Sequence, residues 1–162
     1  MKQVLGATAL AVLLAVGGQA VSAQDYDKGW AAYESGDFET ALQEFRPLAE
    51  QGNADAQLRL GRMHDKGEGV TQHHVEAVKW YRLSAEQGEK FALYYLADAY
   101  RDGRGVIQDN LYAHMWFNIG ASLGFKLAAL NRDEMAKEMT AEDISKAQTL
   151  ARECVAKDYK GC

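Results

Sequence analysis

The chain has 162 residues, 25% of them charged and 48% hydrophobic, with 18 basic and 23 acidic side chains and a net charge of −5. A net negative protein repels nucleic acid and anionic membrane surfaces, so neither is an expected partner. Pro47 is the one proline and no Gly/Ser linker or low-complexity run interrupts the chain, so a single continuous array is expected.

Lys2 leads into the apolar stretch VLGATALAVLLAVG and then Val21-Ser22-Ala23, the pattern of a secretory signal peptide over residues 1–23. The apolar core is too short and glycine-broken for a retained membrane span. Cleavage after Ala23 would leave Gln24 first, with no cysteine there to carry a lipid, and 139 residues bearing 17 basic and 23 acidic groups, a net −6. The expectation is an exported, periplasmic protein with no membrane span after cleavage, monomeric and free of cofactors.

Residues 24–52 form a first helical unit, with a tight Ser35-Gly36-Asp37 turn before a helix over 38–51. Pro47 lies inside that helix and should kink it near Gln43 to Phe45, because proline offers no amide donor. From here a 36-residue period emerges. Ala41, Ala77 and Ala113 form one series; Phe45, Tyr81 and Phe117 a second; Ala49, Ala85 and Ala121 a third; Gly52, Gly88 and Gly124 a fourth. Within each unit the first three fall four apart, which places them on one stripe of a helix that ends at the glycine. Second helices are thus predicted at 38–51, 73–87 and 109–123.

The segment between each such glycine and the next Gly-x-Gly carries Ala56, Leu60 and His64 in one unit, and Ala92, Leu96 and Tyr100 in the next. These mark the first helices. Gly61 and Ala97 keep the surface beside the leucines small, so that a neighbouring helix can approach closely. Gly67-Glu68-Gly69 and Gly103-Arg104-Gly105 end the helices and supply unusual backbone angles for the turn. The latter pair is not a dinucleotide fingerprint, because Gln108 stands where the third glycine would be. Trp80 and Trp116 read as wedges in the seam between units, with a ligand-stacking platform as the alternative. Residues 125–162 read as a C-terminal cap, a variant helix pair over 125–138 and 141–157, with Thr140 and Asp143 forming a capping box. Cys154 and Cys162 can close a short loop in an oxidising compartment, stay as free thiols, or bridge two molecules.

These residues resemble the Sel-one-like repeat (SLR) family, a tetratricopeptide relative with units of about 36 residues. The family pattern is met by Ala56, Leu60-Gly61, Gly67, Gly69-Val70, Ala77, Trp80-Tyr81, Ala85 and Gly88, and in the next unit also by Tyr100 and Asp109. His64, His73, Ser84 and Ala97 depart from it, replacing a tyrosine, an aspartate, an alanine and a glycine. The resemblance implies an all-α, right-handed solenoid of antiparallel helix pairs. It covers 53–88 and 89–124 as full repeats and 24–52 as a degenerate one. It further implies an adaptor scaffold with a concave groove that binds a protein or peptide. The repeat core is expected to hold Ala56, Leu60, Gly67, Gly69, Trp80, Tyr81, Ala92, Leu96, Tyr100, Gly103, Gly105, Trp116 and Phe117.

Catalytic alternatives are thin. Gly120 to Gly124 spells Gly-x-Ser-x-Gly, but that elbow needs a strand before the serine, and here Ser122 ends a predicted helix. Some cysteine-rich exported members of the family are penicillin-binding, so an envelope hydrolase or penicillin-interacting enzyme is the alternative function. Against it, the repeats carry no cysteine pair and the chain has no Ser-x-x-Lys. His64, His73, His74 and His114 show no converging third ligand, so no metal site is expected. Removing core positions from the first helices leaves Arg59, Arg62, Tyr95, Asp98, Asn131 and Glu134 as the candidate partner-binding face, with arginine and tyrosine as anchors.

Overall fold

The computed structural model describes residues 23–162, with side chains from residue 26 onward. The expected leader, apart from Ala23 itself, lies outside the described residues. The eight helices described are α1 (Ala23–Ser35), α2 (Phe38–Glu50), α3 (Ala54–Lys66), α4 (His74–Ala85), α5 (Lys90–Asp102), α6 (Asn110–Ser122), α7 (Lys126–Ala136) and α8 (Ala141–Ala156). No strand occurs among the described residues. Through α7 each helix packs on the next, which makes the chain an all-α solenoid of helix pairs.

Short polar side chains set most of the helix starts by accepting the amides that the first turn leaves orphaned. Asp37 accepts from the amide of Thr40, Asn53 from that of Ala56, and Asp109 from those of Leu111 and Tyr112. His73, which stands where the family has an aspartate, does the same work through Nδ1, 3.1 Å from the amide of Glu76. Thr140 accepts from the amide of Asp143, whose carboxylate takes the threonine hydroxyl proton in a 2.8 Å bond. That is a side-chain variant of the expected capping box, in which the acid would reach the cap amide instead.

The repeated Gly-x-Gly-Val-x-Gln loop is held the same way twice. Gln72 Nε2 donates to the carbonyl of Asp65 at 2.7 Å, and Gln108 Nε2 to that of Arg101 at 2.8 Å. In each loop the first glycine caps the helix in the left-handed region, with φ +75° at Gly67 and +68° at Gly103. The second glycine has a further role. A Cβ on Gly69 would lie 2.8 Å from the carbonyl oxygen of Phe38, and one on Gly105 only 2.3 Å from that of His74. Each loop therefore presses its backbone onto the start of the preceding unit's second helix. The glycine is a stacking residue as well as a turn residue.

Two clusters make up the core. Ala41, Phe45, Leu48, Ala56, Leu60 and Met63 join α1, α2 and α3, while Tyr81, Leu93, Leu96, Trp116 and Phe117 anchor a larger cluster reaching α8. The close approach expected at Gly61 is present, since a Cβ there would meet the ring of Tyr81 at 2.5 Å. Ser84, fully buried in place of an alanine, donates its hydroxyl to the carbonyl of Ala54 at 2.8 Å and so ties α4 to α3.

Three expectations change. Trp80 and Trp116 are not equivalent wedges: Trp116 is fully buried in the larger cluster, whereas Trp80 is only partly covered at the edge of the smaller one. Tyr100 is likewise only partly buried, with its hydroxyl 2.7 Å from Arg82 Nη2. The C-terminal helices are not a variant antiparallel pair, because α8 lies against α6 rather than against α7. Its small stripe of Ala147, Ala151 and Cys154 is buried there, and α7 is left with Ala128 as its one fully buried residue. Pro47, where a bend is expected, does not end α2, which continues past the exposed proline to Glu50. Cys154 and Cys162 do form a disulfide, closing a loop whose Tyr159 ring stands where a Cβ on Gly88 would meet it at 3.2 Å.

Candidate binding face

The first helices of the units, α1, α3, α5 and α7, are tied to one another by a single row of side chains. Between α1 and α3, the guanidinium of Arg59 lies 4.1 Å from the centroid of Trp30 and its Nε donates to the Tyr26 hydroxyl at 3.2 Å. Between α3 and α5, Arg62 lies 5.7 Å from the centroid of Tyr95, whose other neighbours are the rings of Tyr81 at 5.3 Å and Tyr94 at 5.6 Å. Between α5 and α7, Arg101 Nη1 is 3.0 Å from Asp98 and donates to Asn131 Oδ1 at 2.9 Å. Five of the six expected face residues, Arg59, Arg62, Tyr95, Asp98 and Asn131, thus belong to one connected row. Glu134, a turn further along α7, is exposed and pairs with Lys137.

Burial shapes the electrostatics of this row. Desolvation pushes the Asp98 carboxyl above the usual carboxylate range, against the pull of Arg101. Burial also raises the phenols of Tyr33, Tyr81 and Tyr94, so all three remain neutral at physiological pH. Tyr33 donates to Glu68 at 2.7 Å, so the loop between α3 and α4 is fastened to α1. Its counterpart Arg104 reaches back to Asp65 at 3.3 Å.

Tyr26, Trp30, Tyr33, Tyr94 and Arg101 also belong to this face and were not among the expected residues. The α1 members escape a strict 36-residue count because the first unit's turn is shorter. The glycine that receives the second-helix aromatic is Gly29 for Phe45, a separation of 16, but Gly61 for Tyr81, a separation of 20. Aligning the units on that contact shifts α1 by four residues and sets Trp30 opposite Arg62.

The hydroxyls of Ser84 and of Ser122, the serine of the Gly-x-Ser-x-Gly run, are both engaged. Ser84 is buried, and Ser122 donates back to the carbonyl of Ile119 at 2.7 Å at the end of α6. Among the described residues no group of three or more His, Cys, Asp or Glu could hold a metal ion. His74 Nδ1 is 2.8 Å from Asp65, His114 is buried in α6, and burial lowers the basicity of His64 and His114. A cleft of about 370 Å³ between α6 and α8, lined by Asn118, Ile119, Ser122, Arg152 and Val155, lies away from the row and gathers no reactive side chains.

The fold and this face define a class: an all-α solenoid whose paired helices expose one row of first-helix side chains. Residues 54–89 and 90–125 each match the Sel1 repeat, so the chain carries two Sel1-like repeats. It is similar to a protective antigen of uropathogenic Escherichia coli strains that displays an SLR fold, with a TM-score of 0.78 and 26% identity over 83% of this chain and 31% of that one. A Sel1 repeat protein from Oxalobacter formigenes superposes with a TM-score of 0.67 at 27% identity, over 70% of this chain and 46% of the other. A curated relative, an exopolysaccharide production negative regulator of Rhizobium leguminosarum bv. viciae, is 40% identical over 53 residues. Those residues are 33% of this chain and 20% of the regulator, and the chain spans less than half the length of each of these relatives.

Proposed function

We propose that this protein is a non-enzymatic scaffold of the bacterial periplasm that holds a protein or peptide segment in a concave groove along α1, α3, α5 and α7. The observation that carries the reading is the connected row from Trp30 to Asn131. Its arginines and tyrosines are held by cation–π and hydrogen-bonding contacts before any partner arrives, and such preordered anchors lower the entropic cost of binding. The periplasmic location rests on the leader-like residues 1–23, and the disulfide suits an oxidising compartment.

The test is capture in the native host. Full-length chain with an affinity tag is crosslinked in living cells beside an Arg59→Ala, Tyr95→Ala variant whose folding is checked by circular dichroism. A partner retained by the parent and lost by the folded variant is the expected result. Identical captured sets would place binding elsewhere on the solenoid and refute the groove.

A further inference from the structure

Charge is distributed unevenly along the row, and this bears on what the proposed groove would hold. At the α5–α7 end the charges neutralise one another, with Arg101 against Asp98 and Asp102 and bonded to Asn131. At the α1–α3 end they do not. Among the described residues neither Arg59 nor Arg62 has a carboxylate within ion-pair distance, whereas Arg101, Arg104 and Arg132 each hold at least one aspartate. Arg62 Nε is buried without any acceptor, an arrangement that leaves a donor unsatisfied. Glu68, which reaches the nearby Tyr33, is committed to that hydroxyl and lies 3.6 Å from Lys66. Two uncompensated guanidiniums therefore share one end of the row on a chain whose net charge is −5.

We infer that this end of the groove, built by Arg59 and Arg62 between Trp30, Tyr33 and Tyr95, takes the carboxylate side chains of an acidic peptide segment. The inference rests on the groove reading above and names the chemistry of its occupant. Guanidinium forks match carboxylates in a planar, two-bond geometry that lysine cannot reproduce. Arg59 and Arg62 are three residues apart on α3, so their stems rise about 5–6 Å from each other. Alternate side chains of an extended peptide are spaced about 6.6 Å, which lets acidic residues at i and i+2 meet the two forks. A nucleic acid strand fits poorly. Arg59 lies over Trp30, which also stacks with Tyr33, and Tyr95 is flanked by Arg62 and Tyr81, so bases find little free ring to stack on, and the rest of the acidic chain repels a polyanion.

The experiment uses the full chain and a dye-labelled twelve-residue peptide with glutamates at alternate positions, followed by fluorescence anisotropy. Its controls are the same peptide with glutamine, and with lysine, in place of glutamate. The glutamate peptide is expected to bind on the order of tenfold or more tightly than the glutamine one, and to weaken as salt rises. Arg62→Gln should erase most of that preference, and Arg62→Lys should restore only part of it. Because Arg62 makes no hydrogen bond that folding needs, this variant stays readable even where an Arg59→Gln, Arg62→Gln double variant loses stability. Equal binding of the glutamate and glutamine peptides overturns the carboxylate reading while leaving the groove intact. So does competition by a single-stranded oligonucleotide as effective as the glutamate peptide. Glutamate-selective binding that survives substitution of Arg59, Arg62 and Tyr95 overturns both the subsite and the groove.

Discussion

Alanine at Gly105 should destabilise the protein far more than alanine at Gly103, although both glycines occupy the left-handed region at nearly the same φ, +74° and +68°. The shared conformational term is about 1–2 kcal/mol for an L-residue. At Gly103 little is added, because the new methyl would first meet the Gln108 side chain at 3.3 Å, which can give by a few tenths of an ångström. At Gly105 the methyl would fall 2.3 Å from the carbonyl oxygen of His74, 2.4 Å from its carbon and 2.7 Å from the amide of Val75, all backbone atoms. Relief requires moving the loop off the start of α4, an overpacking cost of about 1–3 kcal/mol more. The expected losses are about 1 kcal/mol for Gly103→Ala and about 3 kcal/mol for Gly105→Ala, or roughly 4 °C and 10 °C in Tm for a domain of this size. Thermal and urea unfolding followed by far-ultraviolet circular dichroism reads both. Gly69→Ala, blocked by the Phe38 carbonyl at 2.8 Å, should resemble Gly105→Ala, and Gly67→Ala should resemble Gly103→Ala. Equal losses at Gly103 and Gly105 would refute the argument that the loop backbone docks on the preceding unit.

Trp116→Ala should cost about 3–5 kcal/mol because the indole is wholly enclosed, and Trp80→Ala only about 1–2 kcal/mol; comparable denaturant midpoints for the two would contradict their unequal burial. Reducing the Cys154–Cys162 bond should remove about 2.5 kcal/mol by the chain-entropy argument for so short a loop, measured as a lower melting temperature with reductant, and no shift would show that the loop adds nothing. Burial depresses the basicity of His114 below the ordinary value near 6.5, so the unfolded chain binds the extra proton. Its contribution is therefore full above pH 6.5 and lost as pH falls through the lower folded-state value, and a ring titration by NMR with a midpoint at or above 6.5 would reverse that sign.

The parts of the fold legible in the sequence are those fixed by local rules. Ala77, Tyr81 and Ala85 reveal a buried stripe because helical periodicity alone places them together, and Thr140 marks a helix start because its side chain serves the amide three residues on. The docking of α8 was not legible. Ala147, Ala151 and Cys154 define its buried stripe, but nothing local says that α6 rather than α7 receives it, since that choice depends on contacts distant in sequence. The second role of Gly69 and Gly105 was hidden for the same reason: a turn glycine and a stacking glycine look alike until the preceding unit is in place. At the candidate face, the first-helix positions of α3, α5 and α7 followed from subtracting the core. The α1 contribution of Tyr26, Trp30 and Tyr33 was lost to a period that the shortened first turn breaks.

The central claim, that the first-helix row is where a partner sits, is tested most directly by placing a photoreactive aromatic residue at single positions of the full chain in its host. Tyr94 in the row and Glu134 one turn beyond it on α7 sample the first-helix face, and the exposed Leu83 samples the second-helix surface. Irradiation should yield the same crosslinked partner from positions 94 and 134 and none from 83. A partner that crosslinks from 83 alone would contradict the account and move the binding surface to the opposite side of the solenoid.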